Sequence, residues 1–317
     1  MVSRAPAVDV PPQPWTGRFD GDGPEHRRWW QAVTPYAPRR VQTASARPAV
    51  ILGFGSDAGV RRNKGRTGAA AAPAAIRAAL GPLAFHLTRE VHDAGDVTVA
   101  GDALEAGQAR AGLAITGLLD AGQLPVVLGG GHETAFASYL GVAGSAAVRE
   151  GLRVGVLNLD AHFDLRDEAV PSSGTPFLQM ARAEAAAGRE LRYAVVGISE
   201  PNNTRALFRT AEELGVDYLL DEDCSAGAAH AFVAAFLAQV DALYLTIDLD
   251  VLPASVAPGV SAPAAFGVPL PVVSAVCRQV AASGKLLHLD IAELNPEFDV
   301  DARTAKVAAR LINTLLE

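Results

Sequence analysis

Two histidines and four aspartates fall into three short motifs: Gly129-Gly130-Gly131-His132-Glu133, Asp160-Ala161-His162-Phe163-Asp164 and Asp248-Leu249-Asp250. Imidazole and carboxylate groups bind divalent cations, and a set this rich in oxygen suits Mn²⁺ better than a structural Zn²⁺ site built on thiolates. If His132, Asp160, His162, Asp164, Asp248 and Asp250 converge, their four carboxylates repel one another and resist desolvation unless cations are bound. Two divalent ions would balance them, and a water between such ions would be hydroxide near neutral pH. A single Asp-x-Asp is ordinarily a solvated turn, and a lone GGGH a tight turn or an anion-binding nest. The metal reading rests on their occurring together.

Each motif directly follows an apolar run, and this is what positions it. LPVVL precedes the glycines, RVGVLNL precedes Asp160, and ALYLTI precedes Asp248; KLLHL runs into Asp290-Ile291-Ala292-Glu293-Leu294-Asn295-Pro296. With AVILGFG at 49–55 and YAVVGI at 193–198, these runs predict buried strands. Ala-rich stretches of helical spacing lie between them, at 74–80, 103–121, 204–214, 228–239, 270–282 and 304–316. Alternating strands and helices predict an α/β fold with a mostly parallel sheet covered on both faces, and ligands then bind beyond the carboxyl ends of the strands. In an extended segment, side chains at i, i+2 and i+4 point to one side, which would aim Asp160, His162 and Asp164 together. Asp290 is read as a support of the sheet and not as a ligand.

Composition narrows the function classes. The 317 residues are 50% hydrophobic, enough for a large core, and carry 27 Lys+Arg against 35 Asp+Glu, a formal net charge of −8 with no long basic run. Nucleic acid and membrane are disfavoured as partners, which leaves a small-molecule substrate. Cys224 and Cys277 are too few and too isolated for a disulfide framework or a thiolate cluster, so a reducing cytoplasm is expected. No secretory leader or membrane-spanning run is read. Residues 1–47, rich in Pro, Arg and Trp, are expected to form an irregular arm packed through Trp15, Trp29 and Trp30 on a single catalytic unit spanning 48–317. A homo-oligomer is compatible with the sequence, which leaves the state open.

The GGGH, DAHFD, TIDLD and AELNP segments, in this order and spacing from residue 49 onward, resemble the arginase, agmatinase and formimidoylglutamase family. The resemblance implies a three-layer α/β/α fold and two Mn²⁺ per chain. It would place one ion on His132, Asp160, Asp164 and Asp248 and the other on His162, Asp160, Asp248 and Asp250, with Asp160 and Asp248 bridging. It assigns Glu293 to the substrate's cationic guanidinium or amidine, and Asp164 to proton transfer toward the leaving nitrogen. WTGRFD at 15–20, RNKGRTGA at 62–69, SSGTPF at 172–177, EPNNT at 200–204 and DVLPASVAPGVSAPAAFG at 250–267 are similar to the formimidoylglutamase branch. Phe177 is read as standing where arginases carry a catalytic His, and Leu252-Pro253 lacks the usual Asp-Pro.

Formiminoglutamate carries two carboxylates and an amidine, so its site needs cations. Arg62, Arg66 and Arg166 would supply them, with the neutral amides of Asn63, Asn202 and Asn203 beside them. The rivals are hydrolysis of another amidino acid such as guanidinobutyrate, less favoured hydrolysis of agmatine, and a metal-binding protein without catalysis. Glu293 and Asp164 speak against the last, because a pure binder needs neither clamp nor shuttle.

Overall fold

The computed structural model describes residues 5–38 and 47–317. The strands are β1 Thr34–Pro35, β2 Ala49–Gly55, β3 Val91–Thr98, β4 Leu124–Leu128, β5 Val154–Leu159, β6 Arg192–Ile198, β7 Asp217–Leu220, β8 Ala242–Asp248 and β9 Leu286–Ala292. Short α1 Trp29–Ala32 and α2 Ala58–Arg62 precede α3 Ala72–Leu80, α4 Leu104–Asp120, α5 Thr134–Gly144 and α6 Ala146–Arg149. After these come α7 Pro176–Ala186, α8 Arg205–Glu213, α9 Ala226–Ala238, α10 Leu270–Ala282 and α11 Arg303–Leu316.

The strands form one sheet in the order β1-β3-β2-β4-β9-β8-β5-β6-β7, paired in parallel throughout. β2, β4 and β8 are buried at every residue, as strands covered on both faces must be. Successive residues feed opposite layers: Ile51, Val126, Leu245 and Ile291 pack with residues of α3, α9, α10 and α11. Val50, Val127, Val156 and Tyr244 pack with residues of α4, α5 and α7 on the other side. The three-layer α/β/α expectation holds.

The strands that carry the polar motifs, β4, β9, β8 and β5, are consecutive neighbours in the middle of the sheet although they are scattered along the chain. Sheet order, not sequence order, gathers the motifs at one edge. The strand-facing expectation needs one correction. The chain past β5 is not extended, and residues 249–251 form a 3₁₀ turn. Turns, and not i, i+2, i+4 alternation, aim the side chains.

The arm is more ordered than expected. Trp29 is fully buried, stacks on Trp15 at 6.4 Å and donates from Nε1 to Asn313 Oδ1 at 2.9 Å. Trp30 instead donates to the Arg18 carbonyl within the arm, and β1 adds an edge strand to β3. Residues 1–4 and 39–46 of the expected arm lie outside the described residues. Cys224 and Cys277 are free and buried, and among the described residues no helix is long and apolar enough to cross a membrane.

Candidate metal centre

One face of the sheet grades from apolar to anionic toward the carboxyl edge. Along β8 that face presents Tyr244, Thr246 and Asp248, and along β5 Val156 and Asn158 lead to Asp160 just past the strand; all are buried. The GGGH loop drops His132 over this edge. Gly130 is required there, because a Cβ would lie 1.7 Å from the Ser56 carbonyl oxygen. The loop is tied to the end of β9 by Gly129 N–H to the Ile291 carbonyl, and by Glu293 N–H to the Gly130 carbonyl, both at 2.8 Å.

His132 Nδ1 lies 3.1 Å from Asp160 Oδ2, 2.9 Å from Asp164 Oδ2 and 3.2 Å from Asp248 Oδ2. These four residues offer ligand atoms within 4.8 Å of one another, as does a second group of Asp160, His162 and Asp250. Asp160 belongs to both groups and Asp248 to the first. In the second, His162 Nδ1 is 3.5 Å from Asp160 Oδ1 and 3.1 Å from Asp250 Oδ2. Backbone donors fix the carboxylates: Asp160 Oδ1 accepts His162 N–H at 2.6 Å, and Asp248 Oδ1 accepts Asp250 N–H at 2.8 Å. Asp160 Oδ2 also accepts the Asn158 amide at 2.9 Å.

The donor set fits divalent cations on physical grounds. Among the described residues no Lys or Arg pairs with Asp160, Asp164, Asp248 or Asp250; only imidazoles face them. If protons alone must balance this charge, burial and the neighbouring Asp250 and Asp160 push Asp248 well above the carboxylate range. Burial and Asp160 likewise raise Asp164. His132 is raised well above its ordinary value even though burial opposes it, because Asp160, Asp164 and Asp248 hold its charge. A cluster that recruits protons so strongly is one that cations would occupy.

Glu293 is the first residue after β9. Its Oε1 accepts His132 N–H at 2.7 Å, and burial, reinforced by Glu133, pushes its carboxyl up to about 8. A cation seated beside it would restore its ionised form. Asp164 and Glu293 both have positive φ, 50° and 68°, a strained conformation for residues with side chains.

A cavity of 240 Å³ opens onto these groups, lined by His132, His162, Asp164, Asp248, Asp250 and Glu293. Arg166, Asn63, Asn202 and Asn203 also line it. The Arg166 guanidinium has no hydrogen bond or ion pair among the described residues, so it is free for a ligand. Asn63 donates to Ser173 Oγ at 3.1 Å. Asn203 is committed to the DAHFD loop, accepting Phe163 N–H and donating to the Ala161 and Ser199 carbonyls. It shapes the site more than it offers a contact.

Two expected arginines do not reach the cavity. Arg62 is held by Glu105 at 2.7 Å and by the Pro171 and Asp102 carbonyls. Arg66 donates to the Ser261 and Val260 carbonyls and lies 4.0 Å from the centre of the Phe298 ring. Phe177 is likewise away from the cavity. It is fully buried, edge-on to the His132 ring at 5.4 Å and stacked on Tyr193 at 4.3 Å, while Ser173 is the residue of SSGTPF that faces the ligand space. Gly65, Ser173 and Ser261 were not singled out from sequence, since nothing in a small polar loop residue announces a cavity.

Fold and site together define a hydrolase-type metal centre at the carboxyl edge of a parallel sheet, and the arginase family model matches residues 47–317: the chain belongs to the arginase family. It is 60% identical over 302 residues to a formimidoylglutamase of Nocardia farcinica, covering 95% of both chains. It is 55% identical to one of Rhodococcus opacus, over 97% of this chain and 96% of that one. Among solved structures, a Bacillus subtilis formimidoylglutamase superposes with a TM-score of 0.79 at 19% identity over 90% of each chain, a likeness of fold. A Trypanosoma cruzi formiminoglutamase solved with Mn²⁺ gives 0.77 at 26% identity, covering 86% of this chain and 95% of that one.

Proposed function

We propose that this chain is a binuclear manganese formimidoylglutamase, hydrolysing N-formimino-L-glutamate to L-glutamate and formamide in histidine degradation. What carries the reading is the near-full-length identity to proteins of that name. The cavity supports it, joining a carboxylate-rich centre to one free guanidinium. His132, Asp160, Asp164 and Asp248 would hold one ion, and His162, Asp160, Asp248 and Asp250 the other. Bound there, the two ions supply Lewis-acid activation of water and of the amidine.

The residues of the chain then divide the remaining work. Arg166 anchors a substrate carboxylate through paired N–H donors, with Asn202 and Asn63 as neutral neighbours lining the same cavity. Glu293 Oε2, the oxygen not used by His132 N–H, accepts from the amidinium and holds the formimino carbon toward the aspartates. Water adds its oxygen to that carbon while Asp164 takes up one of its protons; the bond from carbon to the α-nitrogen then breaks as Asp164 passes that proton to the departing amine.

The test is release of formamide and glutamate from formiminoglutamate by Mn²⁺-loaded protein, run beside arginine, agmatine and guanidinobutyrate. Formiminoglutamate should be hydrolysed far faster than the others; a preference for agmatine, which has no carboxylate, overturns the reading. Glu293→Gln should retain both ions and lose roughly 10- to 150-fold in kcat/KM, the worth of a hydrogen bond to a charged group. Efficiency within about threefold of the parent would remove Glu293 from its role.

A further inference from the structure

The imidazole of His132 has a second neighbour that the metal site does not explain. Its Nε2 lies 3.1 Å from Thr246 Oγ1, and Thr246 Oγ1 donates to Asp290 Oδ1 at 2.5 Å. The other oxygen, Asp290 Oδ2, accepts the Tyr244 hydroxyl at 2.5 Å. All four side chains are sealed from solvent. Thr246 and Asp290 are direct register partners on β8 and β9, so the contact is set by the sheet itself and not by a mobile loop.

A threonine hydroxyl has one hydrogen. A carboxylate flanked by two hydroxyls only accepts, so Asp290 takes the hydrogens of both Thr246 and Tyr244. Thr246 then has only lone pairs left for His132, and Nε2 must carry the proton. The lone pair of the ring is thereby confined to Nδ1, the nitrogen that faces Asp160, Asp164 and Asp248.

We infer that the Asp290–Thr246 pair is a positioning relay that fixes His132 in the tautomer able to bind a divalent cation through Nδ1, and that its buried negative charge strengthens that nitrogen as a ligand. The inference rests on the metal reading of His132 given above. Partners of this kind typically contribute 10- to 100-fold in metal affinity.

Mn²⁺ titration of the chelator-treated full chain, followed by electron paramagnetic resonance, tests it without any substrate. Thr246→Val keeps the β-branched shape and removes the hydroxyl; it should weaken one of two Mn²⁺ dissociation constants by 10- to 100-fold and leave the other within about threefold. Thr246→Ser restores the hydroxyl and should bind like the parent. Asp290→Asn can donate to Thr246, turn its hydrogen toward Nε2 and force the proton onto Nδ1, so it should weaken the same ion at least as much.

The melting temperature of each metal-free variant is measured alongside. A variant that melts lower but binds both ions normally shows a purely packing role and overturns the relay. So does a Ser variant as weak as Val. If Asp290→Asn does not fold, the Val and Ser pair decides alone. His132→Ala separates the two readings: unchanged binding of both ions in that variant defeats the metal assignment, and unchanged binding in Thr246→Val with loss in His132→Ala defeats the relay only.

Discussion

Two buried groups of aspartates in this molecule are built on opposite plans. On β3 near the sheet edge, Asp93 is almost sealed, yet every demand of its carboxylate is met from within the chain. Arg77 binds it twice, at 2.8 and 2.9 Å, Trp15 Nε1 donates at 2.7 Å and Gly95 N–H at 2.9 Å. Arg77 also reaches Asp96 at 2.6 Å. At the carboxyl edge of the central strands, Asp160, Asp164, Asp248 and Asp250 face imidazoles and one another. The first group is electrically complete and serves stability; the second lacks a Lys or Arg counter-charge among the described residues and could hold a cation from outside. Completeness of counter-charge, more than burial or acid content, separates a structural cluster from a functional one.

The largest effect should come from removing one carboxylate from each group. Asp248→Ala removes a carboxyl whose ionised form burial and its acidic neighbours oppose, so metal-free Asp248→Ala should melt no lower than the metal-free parent. Its turnover should fall about a thousandfold or more, roughly 4 kcal/mol of lost activation. Asp93→Ala leaves a buried guanidinium underpartnered and should cost about 3 kcal/mol of stability by denaturant unfolding, with both Mn²⁺ still bound. If Asp248→Ala destabilises the metal-free protein as much as Asp93→Ala does, the two plans are not distinct.

A smaller effect should divide the arginines in the same way. Arg62 is committed to Glu105 and two carbonyls, whereas Arg166 stands free at the cavity. Arg166→Ala should lose about 1.5–3 kcal/mol, roughly 10- to 150-fold in kcat/KM on formiminoglutamate, with unchanged metal content. Arg166→Lys should recover little, because an ammonium lacks the planar fork. Arg62→Ala should stay within about threefold. Steady-state kinetics showing the reverse ranking would move the carboxylate site to α2.

What the sequence disclosed follows the same division. β2, β4, β5, β6, β8 and β9 were legible because their burial on both faces leaves unbroken apolar runs. β3 was not, because Asp93 and Asp96 spend their polarity on Arg77 and so break the run. β7 escaped as a short, largely exposed edge strand, and α5 and α7 because they begin directly at the GGGHE and SSGT motifs. The candidate metal ligands were visible because charge without a partner stands out at the end of an apolar strand. The fates of Arg62 and Arg66 were not, since Glu105 and the Val260 carbonyl that hold them are distant in sequence. Nor could the link from Thr246 to Asp290 be seen, because it depends on the register of β8 against β9.

His288 sharpens the comparison with a third kind of buried polar group, one kept neutral. It is sealed within β9, and among the described residues neither ring nitrogen has a partner in full hydrogen-bond geometry, the Pro125 backbone lending only weak support, with the Tyr244 ring 5.0 Å away. Burial, with a lesser push from Arg47, drives its pKa from 6.5 to about 3. The unfolded chain therefore takes up a proton at this residue below pH 6.5 that the folded chain refuses until about pH 3. Stability is fully present above 6.5 and falls with pH across that window. One pH unit below the unfolded value, at about pH 5.5, the loss should be about 1.4 kcal/mol. His288→Leu abolishes this contribution while leaving the opposite contributions of His132 and His162 common to both proteins. Guanidinium unfolding in chelator at about pH 7.5 and 5.5 should show the parent losing about 1.4 kcal/mol more than the variant between the two conditions. Parallel losses in both proteins would mean that His288 is protonated as readily inside the sheet as outside it.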